Sequence, residues 1–396
     1  MESPAFGKPL ARSACCELHL QGCRRQLSWL TAPCINMERN LLVSPITYGP
    51  KDRTGMLTSI NTASFKPAPL GVDPTSILAV IPALNEARHI ETCIRSLMQG
   101  SPLLRLVPLT VADGGSTDET QAIVKRLTAE FPNLRLIENP KRLKSAAMNL
   151  AAGAHSGPQT RWLVRCDAHS VYPQNFILHV AEALQRTGAA SVVIPMDAVG
   201  ETCFEKGNAW VVDTLLGSGG SAHRGGRKSH YVDHGHHAGF DISWFRKVGG
   251  YDETFSHNED AEYDHRLGAA GGKVWMDADI RIEYVPRGSI RALARQYFNY
   301  GKGRARNLRK HNRQLKPRQA VPIFALVGSV GGLLAGISFL PALALPIGYL
   351  SILAGASLAI AVQRRSVCGL FAGVAAGTMH MAWAAGFIWE SVSANR

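Results

Sequence analysis

One long stretch of the sequence lacks charged side chains. From Val321 to Val362 there are 42 residues without an Asp, Glu, Lys or Arg. A helix needs about 20 apolar residues to cross a bilayer, so this stretch is long enough for two, and Pro341 and Pro346 would divide it. A third apolar segment follows. We expect about three C-terminal transmembrane helices, at residues 321–340, 342–362 and 367–389; a buried apolar hairpin in a soluble protein is the alternative.

Acidic residues are absent from residues 289–318, where ten Lys or Arg occur. Most of the formal net charge of +13 lies there. A basic run beside an apolar one is typical of the cytoplasmic face of a membrane, where it contacts anionic lipids. We therefore expect a basic interfacial helix in residues 289–319, on the cytoplasmic face of the membrane. A helix packed on the soluble domain is the alternative. No stacking-aromatic motif accompanies the charge, so nucleic acid is not an expected partner.

Paired cysteine motifs are also missing. None of the eight cysteines forms a CxxC pair, and residues 75–288 contain only three, far apart in the sequence. This spacing predicts free thiols in a reducing compartment. Residues 1–74 show no sustained periodicity and are rich in Pro, Ser, Thr and Cys. We expect them to form a poorly ordered extension.

Residues 75–288 alternate between short apolar runs and amphipathic segments, which predicts an α/β fold with a mostly parallel sheet. Expected strands are 77–81, 109–112, 134–137, 162–165, 191–194, 273–277 and 280–284; expected helices are 89–98, 117–130, 144–154, 175–186 and 260–270. Ligands bind at the carboxyl ends of such strands, where Glu86, Asp113 and Asp167 occur. Residues 197–258 are rich in Gly and His, and we expect irregular loops there.

Four motifs follow one another in a fixed order. They are IPALNE at 81–86, VADGGSTD at 111–118, DAH at 167–169 and ED at 259–260. Their order and spacing resemble family 2 inverting glycosyltransferases. The segments 234–237, 249–253, 258–262 and 296–301 resemble a subgroup of that family that acts in exopolysaccharide assembly. The resemblance implies a nucleotide-sugar-binding GT-A (Rossmann-like) domain.

The resemblance also implies roles for individual residues. Asp260 matches the catalytic base, and Glu259 stands beside it. Asp167 matches the first aspartate of the DxD motif, which holds a divalent metal, Mg²⁺ or Mn²⁺; His169 replaces the last aspartate, so its role as a ligand stays open. The expected nucleotide-sugar contacts are Pro82, Ala83, Glu86, Asp113, Gly115, Lys144 and Asp167, and the expected acceptor contacts are His236, His237 and Gly239.

Some polar residues of this region could serve local structure instead of a ligand. Asp113 could form the Asp-Gly-Gly-Ser turn or cap the next helix. Glu262 and Asp264 look like solvated helix carboxylates. A dedicated zinc site among the histidines of 223–237 is conceivable, although their spacing fits no standard zinc pattern.

The resemblance, together with the apolar segments, therefore implies an enzyme anchored in the bacterial inner membrane with a cytoplasmic catalytic domain. It would transfer a hexose, with glucose as the first choice, from a UDP-sugar to a polyprenyl-linked saccharide in exopolysaccharide biosynthesis. Membrane lipids and other polysaccharide assembly enzymes are its expected partners. The alternatives are a polyprenyl-phosphate hexosyltransferase and a non-catalytic membrane scaffold that retains the fold.

Overall fold

The computed structural model describes residues 71–220, 224 and 226–393. Residues 1–70, which make up most of the expected extension, lie outside the described part. The strands are β1 (Ile77–Ala83), β2 (Leu109–Asp113), β3 (Leu134–Glu138), β4 (Trp162–Arg165), β5 (Ser191–Ile194), β6 (Met196–Ala198), β7 (His230–Val232), β8 (His236–Asp241), β9 (Val274–Met276) and β10 (Ile282–Tyr284).

The first eight helices belong to the α/β part of the chain. They are α1 (Ile90–Leu97), α2 (Thr120–Leu127), α3 (Lys144–Ala154), α4 (Phe176–Thr187), α5 (Cys203–Val212), α6 (Leu215–Ser218), α7 (Ile242–Lys247) and α8 (Glu259–Ala269). Four longer helices follow: α9 (Ile290–Lys310), α10 (Pro317–Gly336), α11 (Ala344–Arg364) and α12 (Phe371–Ser393).

Eight strands form one sheet in the order β3-β2-β1-β4-β8-β5-β9-β7. Strands β1 to β4 are mutually parallel, and β5 pairs in parallel with β9. Their apolar side chains are buried, because helices cover both faces of the sheet. The expected α/β fold with a mostly parallel sheet is confirmed. Strands β6 and β10 form a second, two-stranded sheet.

Strand β8 runs antiparallel between β4 and β5. It therefore begins at the edge of the sheet where β4 and β5 end, and it brings His236 and His237 to that edge. The expectation of irregular loops across 197–258 is wrong for this strand and for α5, α6, β7 and α7. Helix α2 also begins later than expected, at Thr120, because the preceding residues form a turn.

Three helical segments are long and apolar enough to cross a membrane: Pro317–Gly336, Leu340–Arg364 and Val367–Ser393. In the first two, 11% and 22% of the apolar window is buried inside the protein, against 50% in the third. Helix α12 is more buried because it packs along α9. A Cβ on Gly301 of α9 would lie 2.0 Å from the Trp383 carbonyl oxygen, and a Cβ on Gly386 of α12 would lie 2.0 Å from the Phe298 carbonyl oxygen. Glycine on each helix permits this close crossing.

The two ends of α12 also contact the catalytic part of the chain. Before its first turn, Cys368 forms a disulfide with Cys203 at the start of α5. Near its last turn, Glu390 accepts hydrogen bonds from Arg306 and Arg309 of α9, at 3.3 and 3.2 Å. The expectation of free thiols throughout residues 75–288 is therefore wrong for Cys203, whereas Cys93 and Cys166 are free and buried.

Candidate active site

Two carboxylates that are distant in sequence meet at one guanidinium. Arg165 ends β4, and its side chain is only 2% exposed. Its Nη1 donates to Asp260 Oδ1 at 2.6 Å, and its Nη2 lies 3.4 Å from Asp167 Oδ1. A buried arginine needs such partners, because an unpaired buried charge is costly. The fold thus places Asp167 and Asp260 at the same edge of the sheet.

Asp260 lies in the first turn of α8 and is held through one oxygen. Besides Arg165, Oδ1 accepts from the Tyr251 hydroxyl at 3.0 Å and lies 3.3 Å from His237 Nδ1. Burial opposes its ionisation, but Arg165 and His237 hold the pKa of Asp260 well below its usual range. No hydrogen bond within the described residues involves Oδ2. Oδ2 of this carboxylate is therefore the oxygen that could accept a proton from a hydroxyl group.

His237 supports Asp260 from behind. Its ring is fully buried, with Nδ1 2.7 Å from the Tyr251 hydroxyl and Nε2 2.7 Å from Asp264 Oδ1. Burial opposes the imidazolium, but Asp264 and Asp260 raise the pKa of His237 to about 9. His234 Nδ1 lies 2.8 Å from the other oxygen of Asp264. The expectation of a solvated Asp264 is wrong, because this carboxylate is buried and contacts His234 and His237.

Glu262 is likewise buried rather than solvated. Its carboxylate accepts from Arg266 within α8 and from Lys310 at 2.5 Å, and it lies 3.1 Å from His311 Nε2. Lys310 also donates to Asp252. These contacts fix the end of α9 against the helix that carries Asp260.

Asp113 organises the turn after β2. Its Oδ2 accepts from the backbone N–H groups of Gly115 and Ser116, each at 2.9 Å, and from Gln121 Nε2 at 2.7 Å. Gly115 has a φ of +78°, a conformation that glycine adopts without strain. The structure thus shows turn formation, the alternative to nucleotide binding. Asp113 Oδ1 accepts from the Ser116 hydroxyl, and a nucleotide contact by Asp113 stays a prediction.

The segment after β1 lies against the same turn. Asn85 Oδ1 accepts from the Thr117 backbone N–H at 2.8 Å. Pro82 and Ala83 pair with Ala112 and Asp113 at the carboxyl ends of β1 and β2. The residues expected to contact the nucleotide therefore lie next to one another at one edge of the sheet, and their nucleotide contacts stay a prediction.

His169 and His236 lie on different carboxylates. His169 Nδ1 is 3.1 Å from Glu86 Oε1, and that hydrogen bond raises the pKa of His169 despite partial burial. His236 Nε2 is 3.5 Å from Asp167 Oδ2, and burial lowers the pKa of His236 to about 4. A neutral imidazole beside a carboxylate is a usable pair of metal ligands. His236, which was expected to contact the acceptor, therefore lies beside Asp167. His169, whose role as a metal ligand the sequence left open, contacts Glu86 instead.

A divalent cation would find a partial set of protein ligands here. Within residues 71–220, 224 and 226–393, no group of three His, Cys, Asp or Glu side chains converges as a metal site. Mg²⁺ is typically bound through one or two carboxylates, with waters and substrate phosphates completing its shell. Asp167 with a neighbouring imidazole fits that pattern.

The remaining predicted residues fall in separate places. Lys144 begins α3, and its Nζ lies 3.5 Å from Glu259 Oε1; this carboxylate raises the pKa of Lys144. Gly239 lies in the middle of β8, paired with Val164 and Val192. A Cβ there would meet Val180 Cγ1 at 2.4 Å, so this glycine permits close packing of α4 on the sheet. The structure therefore gives Gly239 a packing role, and its expected acceptor contact stays a prediction.

A cavity of about 540 Å³ connects this edge of the sheet with the C-terminal helices. Asp260 and His236 line one part of it, and Val321, Pro322 and Trp383 line another. The cavity therefore places the candidate base in the same space as helices long and apolar enough to cross a membrane. Arg165, Tyr251 and the supporting role of His237 were not predicted. The only local signal for Arg165 was a cation at the end of an otherwise apolar strand.

Comparison with known proteins shows which family the chain belongs to. Residues 78–249 match the family described as "Glycosyl transferase family 2". The chain is 44% identical over 324 residues to the succinoglycan biosynthesis protein ExoA of Rhizobium meliloti (strain 1021), covering 81% of this chain and 97% of the relative.

Two more distant proteins are similar over much of the chain. The first, from Methanococcus voltae, is a dolichyl N-acetyl-α-D-glucosaminyl phosphate 3-β-D-2,3-diacetamido-2,3-dideoxy-β-D-glucuronosyltransferase; it is 22% identical, with 59% of this chain and 74% of that protein covered. The second is a solved structure of the mannosyltransferase PcManGT from Pyrobaculum calidifontis with GDP-Man and Mn²⁺. It has a TM-score of 0.54 and 19% identity, with 82% of this chain and 90% of that chain covered. The family match at residues 78–249 and the identity to ExoA along most of both chains show that this chain is a glycosyltransferase of family 2.

Proposed function

We propose that this protein is an inverting glycosyltransferase that moves a hexose from a UDP-sugar to a lipid-linked saccharide in exopolysaccharide assembly. The observation that carries the proposal is the convergence of Asp167 and Asp260 on Arg165, beside a cavity that reaches apolar helices. The similarity to a succinoglycan biosynthesis protein supports the pathway class. The Methanococcus voltae relative is named after a sugar linked to dolichyl phosphate, and this name supports a lipid-linked acceptor.

The geometry supports direct displacement. Inversion requires an acceptor hydroxyl to attack the anomeric carbon on the face opposite the departing nucleotide. Asp260 supplies an oxygen for the hydroxyl proton, while Arg165, Tyr251 and His237 fix the position of its carboxylate. A positioned base contributes typically ~10²–10⁴ in rate. Because its pKa is depressed, Asp260 stays ionised and is a weak base that accepts the proton late in the reaction.

The leaving group departs on the Asp167 side. Asp167 and His236 are the residues that would hold a divalent cation, and the PcManGT structure contains Mn²⁺. Such an ion, when bound, neutralises charge that builds on the departing diphosphate. Lys144, at the start of α3, is a cation near the same edge. UDP as the nucleotide and glucose as the sugar rest on the sequence resemblance.

The test compares Asp260→Asn with Asp233→Asn in membranes that contain the full-length protein. Asp233 is an exposed aspartate, with 91% of its side chain accessible. We expect Asp260→Asn to lose about 10²–10⁴ in kcat while it binds the nucleotide sugar normally. Asp233→Asn should match the wild type. Equal turnover in all three proteins would disprove the role of Asp260.

The lipid product separates the two candidate acceptors. Transfer to a polyprenyl-linked saccharide extends an existing sugar, whereas transfer to a bare polyprenyl phosphate makes a one-sugar lipid. Thin-layer separation before and after mild acid distinguishes these products. A one-sugar lipid would favour the polyprenyl-phosphate hexosyltransferase. Nucleotide-sugar binding without turnover on any acceptor would indicate a non-catalytic scaffold.

A further inference from the structure

The cavity beside Asp260 is lined by three arginines that have no acidic partner among the described residues. Arg224, Arg304 and Arg318 all line it. Within the described residues, none of the three forms an ion pair with an Asp or Glu. Other cations nearby are paired, for example Lys310 with Asp252 and Glu262. Three unpaired guanidiniums around one cavity form an environment that favours an anion.

Arg224 and Arg304 show this lack of partners most directly. Arg224 Nη1 is buried and has no hydrogen-bond partner within the described residues. Its guanidinium stacks over the Tyr284 ring at 4.7 Å, which restrains its plane while Nη1 stays unsatisfied. Arg304 is half-buried on α9. Burial, together with the nearby charges of Arg318 and Arg313, lowers the pKa of Arg304 to about 10.

Arg318 links the basic part of the cavity to the first apolar helix. It lies in the first turn of α10, and its Nη1 donates to the Gly219 carbonyl oxygen at 3.1 Å. Val321 and Pro322, one turn later on α10, line the same cavity, as do Met379 and Trp383 of α12. The basic surface therefore continues into an apolar one within a single space.

This order of surfaces matches an amphiphile that carries a phosphate group. A hydroxyl to be glycosylated belongs at Asp260, phosphates belong at the guanidiniums, and a hydrocarbon chain belongs against α10 and α12. Guanidinium binds phosphate oxygens in charge-assisted, often bidentate, hydrogen bonds. Three of them suit a diphosphate better than a single phosphate. A soluble phosphorylated acceptor would leave the apolar wall in water.

We propose that Arg224, Arg304 and Arg318 bind the diphosphate of a polyprenyl-linked acceptor, and that its first isoprene units lie between α10 and α12. This inference rests on the proposed function, because it names the acceptor subsite of the same reaction. It assigns the donor diphosphate to the other side of Asp260, at Asp167. The guanidiniums position the lipid head group and take no part in proton transfer.

The test measures binding without requiring turnover. Full-length protein in phosphatidylcholine nanodiscs is titrated with a C55 polyprenyl diphosphate, with inorganic pyrophosphate and with UDP, and the thermal unfolding midpoint reports binding. We expect Arg304→Gln to weaken binding of the polyprenyl diphosphate by about tenfold or more while the affinity for UDP is unchanged. Arg304→Lys should lose less. Arg295→Gln is the matched control, since Arg295 is an exposed arginine of the same helix.

Each outcome decides the question. Unchanged lipid binding in Arg304→Gln, or an equal loss in Arg295→Gln, overturns the site. A loss of UDP binding in Arg304→Gln assigns the guanidiniums to the donor instead. Equal affinity for pyrophosphate and for the polyprenyl diphosphate shows a phosphate site without a lipid subsite and also overturns the inference.

Activity then separates this inference from the proposed function. If lipid binding depends on Arg304 but no sugar is transferred to any lipid, the subsite stands and the proposed function fails. If Arg304→Gln transfers sugar to the lipid-linked acceptor with an unchanged KM, the proposed function stands and the subsite fails.

Discussion

Because α9 and α12 cross so closely, we predict that Gly301→Ala destabilises the protein. An ordinary Cβ contact needs about 3.4 Å, and a Cβ on Gly301 would be 2.0 Å from the Trp383 carbonyl oxygen, which is a shortfall of about 1.4 Å. The obstacle is backbone, so no rotamer change relieves it. In Gly301→Ala the two helices must therefore move apart.

The magnitude follows from two opposing effects. Replacing a helical glycine with alanine stabilises the folded state by about 0.5–1 kcal/mol. Overpacking at a tight contact costs about 1–3 kcal/mol. We expect a net loss of about 1–2 kcal/mol, and each kcal/mol lowers the unfolding midpoint by about 2–4 °C in a domain of this size.

Gly268 provides the matched control. It lies in α8, and nothing lies within 4 Å of the position that its Cβ would occupy. The same change there keeps the helix-propensity gain and adds no clash, so Gly268→Ala should raise the midpoint. Thermal unfolding of both variants in detergent or nanodiscs is the assay. If Gly301→Ala is as stable as Gly268→Ala, the close crossing does not exist in solution.

A double substitution tests the geometry further. Gly386→Ala meets the Phe298 carbonyl oxygen across the same crossing. Once the helices have separated for one alanine, the second costs less, so the double variant should be less destabilised than the sum of the single variants. Turnover should fall as well, because the Tyr300 carbonyl oxygen accepts from Asn258, two residues before Asp260.

Two further predictions concern the contacts that surround this crossing. Reduction of the Cys203–Cys368 disulfide, or Cys203→Ala, should lower the unfolding midpoint, and the 165-residue separation limits the lost stability to about 5 kcal/mol. The control Cys93→Ala should remain sensitive to reductant. An identical midpoint with and without reductant in the wild type would contradict the disulfide. Burial opposes ionisation of Asp252, but hydrogen bonds from Lys310 and Thr254 hold the pKa of Asp252 at about 2. The stability that this carboxylate contributes is therefore present above about pH 4 and is lost as the pH falls towards 2. Acid unfolding of Asp252→Asn should lack that part of the pH dependence, and an unchanged acid profile would show that the carboxylate is not paired in solution.

The sequence predicted the parts of the fold that local patterns encode. Strands β1, β4 and β5 include continuous apolar runs, and α3 is located as expected. Strand β8 was missed because its sequence, HHAGFD, shows neither alternation nor a β-branched run. Its place between β4 and β5 depends on pairings with residues about 40 to 80 positions away, which no local pattern records.

The candidate site was predicted only in outline, for a similar reason. The motifs identified Asp167 and Asp260, but the guanidinium between them comes from a contact across 95 positions. Glu262 and Asp264 looked solvated because an acidic helix start normally is. Their burial follows from cations contributed by other elements, such as Lys310 and His237. Helix periodicity alone does not reveal partners of this kind.

The attachment of α12 at both ends has a consequence for the two helices that precede it. The chain leaves the catalytic part through α9, passes along α10 and α11, and returns to α5 and α9 through α12. Along the chain, helices α10 and α11 thus lie between α9 and α12, the two helices that pack against each other beside the catalytic part. A movement of α10 would therefore displace Arg318, Val321 and Pro322, the part of the cavity wall that this helix provides, while α12 holds the facing wall against α9.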